Sequence, residues 1–278
     1  MRPLDHARDR PEPVEGRLKV VACDVLRREV YWCAARSRET VEVVLLPQGL
    51  HDNSDLCRER LQPLVNEADP EQCDAVVLGY GLCNNALNGL RAGRVRVVIP
   101  RAHDCITLLL GSKERYAELF AARPGTYWFS SGWVECKDGQ GDRAPPMAKS
   151  GLGPRRLAAD FDELVARYGR ENAEYLAAFM GAWERHYTHG CLVEFAFAEG
   201  LGLPEKIERL CRQKGWEFVR VQGDLSLIQD GLDGRWDPDR FLVLEPGQRV
   251  RAEYDEGIIA AEPPAVLPRP SAETRATP

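Results

Sequence analysis

Cys23, Cys83, His103 and Cys105 are the residues of this chain whose types and positions suit chemistry. Each follows a hydrophobic run. Leu18-Lys19-Val20-Val21-Ala22 ends in Cys23, and Ala75-Val76-Val77-Leu78 leads into Gly79-Tyr80-Gly81-Leu82-Cys83-Asn84-Asn85. Val95-Arg96-Val97-Val98-Ile99 leads into Arg101-Ala102-His103-Asp104-Cys105. Thiolate and imidazole are ligands for zinc, iron and iron–sulfur clusters. A His-x-Cys pair can aim both groups at one site when its backbone is extended or turned, as in a loop after a strand. Gly79 and Gly81 allow the Cys83 loop unusual dihedrals and close approach. If only three of the four residues bind, the open position is of the catalytic kind. Two other readings stand beside a metal site. One is a nucleophilic Cys83 or Cys105 activated by His103. The other is plain packing, since a Cys at a strand end and a neighbouring His are often core residues.

Other polar residues belong to the same neighbourhood. His51 lies in Pro47-Gln48-Gly49-Leu50-His51-Asp52-Asn53, after a further apolar run, and is a candidate ligand or acid/base group. The bland reading of this segment is a turn with Asp52 and Asn53 as caps. Asn84 and Asn85 are candidates to orient a substrate or cofactor, or they start a helix. Arg101 suits bidentate binding of a carboxylate or phosphate, or it is a rim charge paired with Asp104. Trp128, Trp133 and Tyr127 could wall a pocket or fill a core. Gly79-x-Gly81 lacks a third glycine in phase and is a poor dinucleotide fingerprint.

The elements that must position these groups alternate between strand and helix. Leu18–Ala22, Val41–Leu46, Ala75–Leu78 and Val95–Ile99 are apolar without polar alternation, as in parallel strands buried on both faces. Helical patterns run from Leu26 to Ala35, from Ser54 to Ala68 with Asn53 or Ser54 as cap, and, more briefly, from Asn85 to Ala92. Asp104 is placed to cap a helix broken at Gly111 and continuing from Ser112 to Phe120, whose dipole would stabilise a Cys105 thiolate. A strand at Tyr127–Ser130 follows. Lys137 to Gly153 reads as a loop or lid. Helices follow at Leu157–Tyr168 and Arg170–His186, the second with Tyr175, Phe179 and Trp183 as a core stripe. The last third continues as strand Cys191–Ala196, helix Pro204–Lys214, strand Phe218–Gln222, helix Leu225–Leu232 and strand Phe241–Leu244.

The pattern predicts an α/β fold with Rossmann-like, open, mostly parallel sheets, arranged as two α/β halves facing a cleft. In such sheets ligands bind outside the carboxyl ends of the strands, so the Cys and His residues would share one rim. The expected organisation is a disordered extension over 1–16, a first α/β unit with the site over 17–135 and a lid over 136–156. A helical segment with a second α/β unit would span 157–250, and a Pro-rich disordered tail 251–278.

Composition narrows the class. The 278 residues are 44% hydrophobic and 29% charged, as in ordinary globular proteins. A net charge of −6 with interspersed signs gives no nucleic-acid footprint. No apolar stretch approaches the roughly 20 residues of a membrane helix. Nine cysteines with no secretory signal argue for a reducing, cytoplasmic setting. Cys33, Cys57, Cys73, Cys191 and Cys211 are expected to be packing, whereas Cys136 is harder to dismiss.

Several segments resemble the prokaryotic family catalogued as domain of unknown function 1638. They are Ala22-Cys23-Asp24-Val25-Leu26, Leu46-Pro47-Gln48-Gly49-Leu50-His51-Asp52, Gly79 to Asn85, and Pro100-Arg101-Ala102-His103-Asp104-Cys105-Ile106-Thr107. Gly111-Ser112, Pro124-Gly125-Thr126-Tyr127-Trp128 and Tyr168-Gly169-x-Glu171-Asn172-Ala173 also fit, so the resemblance spans roughly Lys19 to Val250. Where the family usually has Gly after its Gly-Leu-Cys, this chain has Asn84-Asn85-Ala86. The resemblance implies no settled activity, only an association of some members with corrinoid-dependent methyltransferase systems. It strengthens the Cys/His site because its motifs are the segments that carry those residues.

The expectation is therefore a metalloenzyme using Cys83, His103, Cys105 and Cys23, acting on a small-molecule substrate with zinc as cofactor. The alternatives are a [4Fe-4S] enzyme with three Cys ligands, and a non-catalytic metal or corrinoid accessory protein. A corrinoid protein or methyltransferase is the expected partner.

Overall fold

The computed structural model describes residues 16–139, 169–170 and 186–264. Its main sheet begins with β1 (Arg17–Cys23), whose last six residues are all buried. A 3-10 turn (Asp24–Leu26) and α1 (Arg27–Ala34) lead to β2 (Thr40–Leu46), which is only half-buried. α2 (Ser54–Asn66) is capped by Asn53, whose side chain accepts from the Leu56 N–H at 3.0 Å. It buries Cys57, Leu61 and Val65, one stripe at a four-residue spacing. β3 (Ala75–Gly79) is buried throughout, and β4 (Arg96–Pro100) is buried after its first residue.

These strands and β8 (Phe241–Leu244) form a five-stranded sheet in the order β2-β1-β3-β4-β8. The β1–β2, β1–β3 and β3–β4 pairs are parallel, while β8 runs antiparallel to β4. The chain steps outward from β1 to β2, then returns past β1 to lay down β3 and β4. Strand order therefore reverses between β1 and β3. In open α/β sheets that reversal opens a crevice at the carboxyl ends of the two strands, and ligands bind there.

After β4 come α3 (Cys105–Leu110) and α4 (Lys113–Ala122), separated by Gly111 at φ 82° as the sequence predicts. The second sheet joins β5 (Thr126–Phe129), β6 (His189–Glu194) and β7 (Glu217–Gln222), all parallel. α5 (Ser131–Gly139) follows β5, and α6 (Leu203–Lys214) packs Leu203, Ile207 and Cys211 into the small core beside this sheet. α7 (Ser226–Leu232) turns back, placing Leu227, Ile228 and Leu232 in the core of the main sheet. No helix among the described residues is long and apolar enough to cross a membrane.

Several expectations change. Asn85–Ala92 is a series of turns and not a helix, because Cys83, Asn84 and Asn85 all take left-handed backbone, at φ 44°, 54° and 62°. A right-handed helix cannot start from that geometry. Phe241–Leu244 joins the first sheet instead of completing the second. The expected tail is structured at its start: β9 (Arg249–Ala252) and β10 (Ile259–Glu262) pair antiparallel. α5 occupies the first residues of the expected lid. The remainder of that lid, residues 1–15 and 265–278, and almost all of the two helices expected between 157 and 186, with Tyr175, Phe179 and Trp183, lie outside the described residues.

Candidate functional site

Two glycines bring the site's elements together. Gly79 stands opposite Ala22 in the β1–β3 ladder, and a Cβ on it would lie 2.5 Å from the Ala22 Cβ. The next residues, Cys23 and Tyr80, therefore leave the two strands side by side. A Cβ on Gly81 would lie 2.5 Å from the Asp104 N, so the β3 and β4 loops can stack only without a side chain there. They are also hydrogen-bonded. The Leu82 N–H donates to Ala102 O and the Cys83 N–H to His103 O, both at 2.8 Å. The β3–β4 pairing is thus continued beyond the sheet, and it carries Cys83 and Cys105 onto the same rim as Cys23.

The thiols raise one another's pKa through their charges. Burial first, and then the charges of Asp104 and Cys57, push the Cys83 thiol up to about 12. The Cys105 thiol is raised well above its ordinary range, first by burial, then by Asp104, Cys83 and Cys23. Cys23 is raised by burial and then by Cys83, Cys136 and Asp24. Cys83 and Cys105 nevertheless keep partial exposure.

This overturns the expectation that the α3 terminus stabilises a Cys105 thiolate. Asp104 does cap α3: its Oδ1 accepts from the Ile106 N–H at 3.0 Å and the Thr107 N–H at 3.1 Å. Its negative charge sits beside the sulfur, and with burial it outweighs the dipole of a six-residue helix. Thiols so held are neutral at physiological pH and are poor nucleophiles.

The other expected residues are placed as follows. His103 is exposed. It contributes its main-chain carbonyl to the Cys83 loop. His51 lies in a 3-10 turn (Leu50–Asp52) after β2, on the same rim, with its side chain outside the described part. The Arg101 guanidinium donates to main-chain carbonyls of Pro238 and Gly257, both at 2.8 Å, and to Ile259 O. It fastens the β9–β10 hairpin to the end of β4 and is not paired with Asp104. Asn84 and Asn85 are exposed at the centre of a turn closed by the Ala86 N–H on Cys83 O at 3.1 Å. Cys33, Cys57, Cys73, Cys191 and Cys211 are buried. Among the described residues, no three His, Cys, Asp or Glu side chains are arranged to hold a metal ion as they stand.

Two contributors, Tyr80 and Tyr116, escape a reading of the sequence, and a third, Cys136, stands out there without a role. Tyr80 is only 2% exposed, and its hydroxyl has no hydrogen-bond partner among the described residues. An unmet buried hydroxyl costs about 1–3 kcal/mol. Cys136 reaches Cys23 and Asp24 from α5, its thiol raised to about 12 by burial and then by Asp24. Gly132 makes that approach possible, since a Cβ there would overlap Val25 O. Tyr116 donates its hydroxyl to Asp104 Oδ2 at 3.2 Å. Tyr80 lies inside a quoted motif, between two glycines, but nothing local shows that its ring turns inward.

A family model described as a protein of unknown function, DUF1638, matches residues 45–232. The chain belongs to that family. The DUF1638 match takes in Cys83, His103 and Cys105, and Cys23 lies before it. Comparison with curated proteins gave no match, and neither did comparison with solved structures.

The left-handed turn also suits the residues that form it. Glycine adopts positive φ freely, and asparagine is the side chain that best tolerates it. Asn84 and Asn85 therefore fit their left-handed positions, at φ 54° and 62°.

Proposed function

We propose that this DUF1638 chain is a cytoplasmic metal-binding α/β protein, an enzyme whose site uses the thiols of Cys23, Cys83 and Cys105 at the β1–β3 reversal. The observation that supports this reading is the mutual electrostatic reach of three thiols carried on or beyond the ends of three adjacent strands. Three neutral thiols can be buried together cheaply, but three thiolates need a compensating cation. A thiophilic metal binds the thiolate form and releases the proton. Asp24 and Asp104 add negative charge around the sulfurs, which opposes anionic thiolates and favours a cation. The thiols are not preassembled at ligating positions, so metal binding would draw side chains together from three separate segments, as is usual where metal and fold are coupled.

Two centres fit this donor set. Zinc accepts three thiolates with a fourth ligand from His103 or a small molecule. When bound it would supply a lowered pKa to a substrate thiol, the chemistry of zinc-dependent methyl transfer linked to corrinoid proteins. A [4Fe-4S] cluster with one open iron is the second reading: Cys23, Cys83 and Cys105 lie at or beyond neighbouring strand ends, while His103 is exposed. In either case Asn84 and Asn85 are the exposed polar groups nearest in sequence to Cys83 that could orient a small-molecule substrate.

Anaerobic purification followed by elemental analysis tests the reading. Stoichiometric zinc in colourless protein supports the first centre. Brown protein absorbing near roughly 400 nm supports the second. Protein free of both metals, with Cys83→Ala behaving as wild type, overturns the proposal.

A further inference from the structure

The edges of the two sheets are finished in different ways. β8 has only four residues and packs beside β10, whose hairpin Arg101 fastens to the end of β4. β5 is equally short, and β7 exposes Glu217, Arg220 and Gln222. Short strands, edge charges and covering elements keep sheet edges from pairing with other chains. β2 has none of these devices. Thr40–Leu46 is seven residues long, with five aliphatic residues, one charge and no proline. Its register with β1 is unbroken, so no bulge twists it away. The five aliphatic side chains pack on the core yet stay half-buried, whereas β3 is buried throughout. Among the described residues β1 is the one strand that β2 pairs with, and its outer N–H and C=O groups meet nothing.

We propose that β2 pairs with β2 of a second copy of this chain, antiparallel across a two-fold axis, joining the two main sheets into one. A strand edge is complementary to itself under that symmetry, because each donor of one copy meets an acceptor of the other. The apolar flanks of β2 need an equally apolar neighbour, which a second β2 supplies. Charge restricts the register. With Val43 or Val44 opposite its own copy, Glu42 faces an aliphatic residue and not the other Glu42. Two strands of this length form a seam of about 23 Å. That alone is narrow for the roughly 1,200–2,000 Å² of a stable interface. α1 supplies further area. It packs against β2 and carries Tyr31 and Trp32, which are 49% and 45% exposed. They are two of the five large hydrophobic residues exposed among the described residues. Antiparallel pairing turns the two carboxyl rims in opposite directions. Each thiol site is therefore complete within one chain, and the contact is independent of what the thiols bind.

The test uses the full chain and combines sedimentation with amide hydrogen exchange. Sedimentation is expected to give twice the 31.2 kDa of one chain. The β2 amides are expected to exchange more slowly as protein concentration rises. Val43→Lys brings two ammonium groups towards the axis and is expected to weaken dimerisation by about 100-fold or more. Tyr31→Glu, at a half-exposed site, is expected to weaken it by about 10-fold. Circular dichroism shows whether each variant is folded. If Val43→Lys is not, Tyr31→Glu and the exchange rates decide. A wild-type chain that is monomeric at about 100 μM overturns the pairing, whether its β2 edge is bare or covered by residues of its own chain. A dimer whose β2 amides exchange at a rate independent of concentration also overturns it, because the interface then lies elsewhere. Folded variants that dimerise as tightly as wild type overturn it as well.

Discussion

The two sheets use the same residue type in opposite ways. In the small sheet, Cys191 sits within β6 and Cys211 on α6, where a Cβ on Gly190 would come within 2.3 Å of the Cys211 sulfur. Those sulfurs fill apolar space. In the main sheet, Cys23, Cys83 and Cys105 lie at or beyond strand ends, among carboxylates, a buried phenol and each other. The difference is one of position along the strand. Inside a sheet a thiol is a small hydrophobe. At the carboxyl edge of a strand-order reversal it meets groups from other strands, and cooperative chemistry becomes available.

The sharpest way to break this comparison is to remove one sulfur from each region. Cys83→Ala is expected to abolish stoichiometric metal binding, a larger effect than the roughly 10–100-fold carried by a supporting residue. Cys211→Ala should leave metal content unchanged and lower stability by about 1 kcal/mol, the scale of a small core deletion. Elemental analysis and denaturant titration of both variants distinguish them. Equal metal content in the two would erase the distinction between the regions.

Carboxylates extend the contrast. Glu194 on β6 pairs with Arg220 at 2.7 Å near solvent. Glu29 on α1 is fully buried behind the rim, where Ser131 at the start of α5 donates to it at 2.9 Å. Burial, opposed by the Ser131 hydrogen bond and the Arg28 charge and aided by the Glu135 charge, raises the Glu29 carboxyl to about 7 from an ordinary 4.5. Below pH 4.5 folded and unfolded chains are both protonated there, and no stability difference arises. Between 4.5 and 7 only the unfolded chain releases the proton, so stability falls as pH rises, then levels off. Glu29→Gln is expected to stabilise the protein by about 3 kcal/mol at pH 8 and to have little effect near pH 4. Urea titrations at the two pH values check both.

Backbone contacts give a smaller effect. Gly81→Ala places a methyl against Asp104, between the loops that carry Cys83 and Cys105, and should cost about 2 kcal/mol. Gly200→Ala, with open space around it, should stay within about 0.5 kcal/mol. Smallest is the left-handed turn. Asn85→Ala is expected to cost about 1 kcal/mol and Asn85→Gly almost nothing, because alanine lacks tolerance for φ 62°. Thermal melts of all four variants rank these effects.

Much of this was legible in the chain itself. The apolar runs of β1, β3 and β4, the Asp104 cap and the break at Gly111 all rest on local patterns. The Asn85 helix was misread because its apolar spacing resembles a helix, while the left-handed start is a property of the backbone that two adjacent asparagines only hint at. The Cys105 thiol was misread because a helix dipole is visible in sequence, whereas burial and the opposing Asp104 charge depend on packing.

Sequence alone determined that this chain forms α/β layers with thiols after its strands, because periodicity, caps and glycine breaks act over a few residues. Tertiary structure decided which thiols face one another. Strand order β2-β1-β3-β4-β8 set Cys23 beside Tyr80 and gave β8 to the first sheet, and stacking of the Gly81 and Asp104 loops left the His103 side chain exposed. Those outcomes come from contacts between segments distant in the chain, and no local pattern encodes the neighbour that each edge finds.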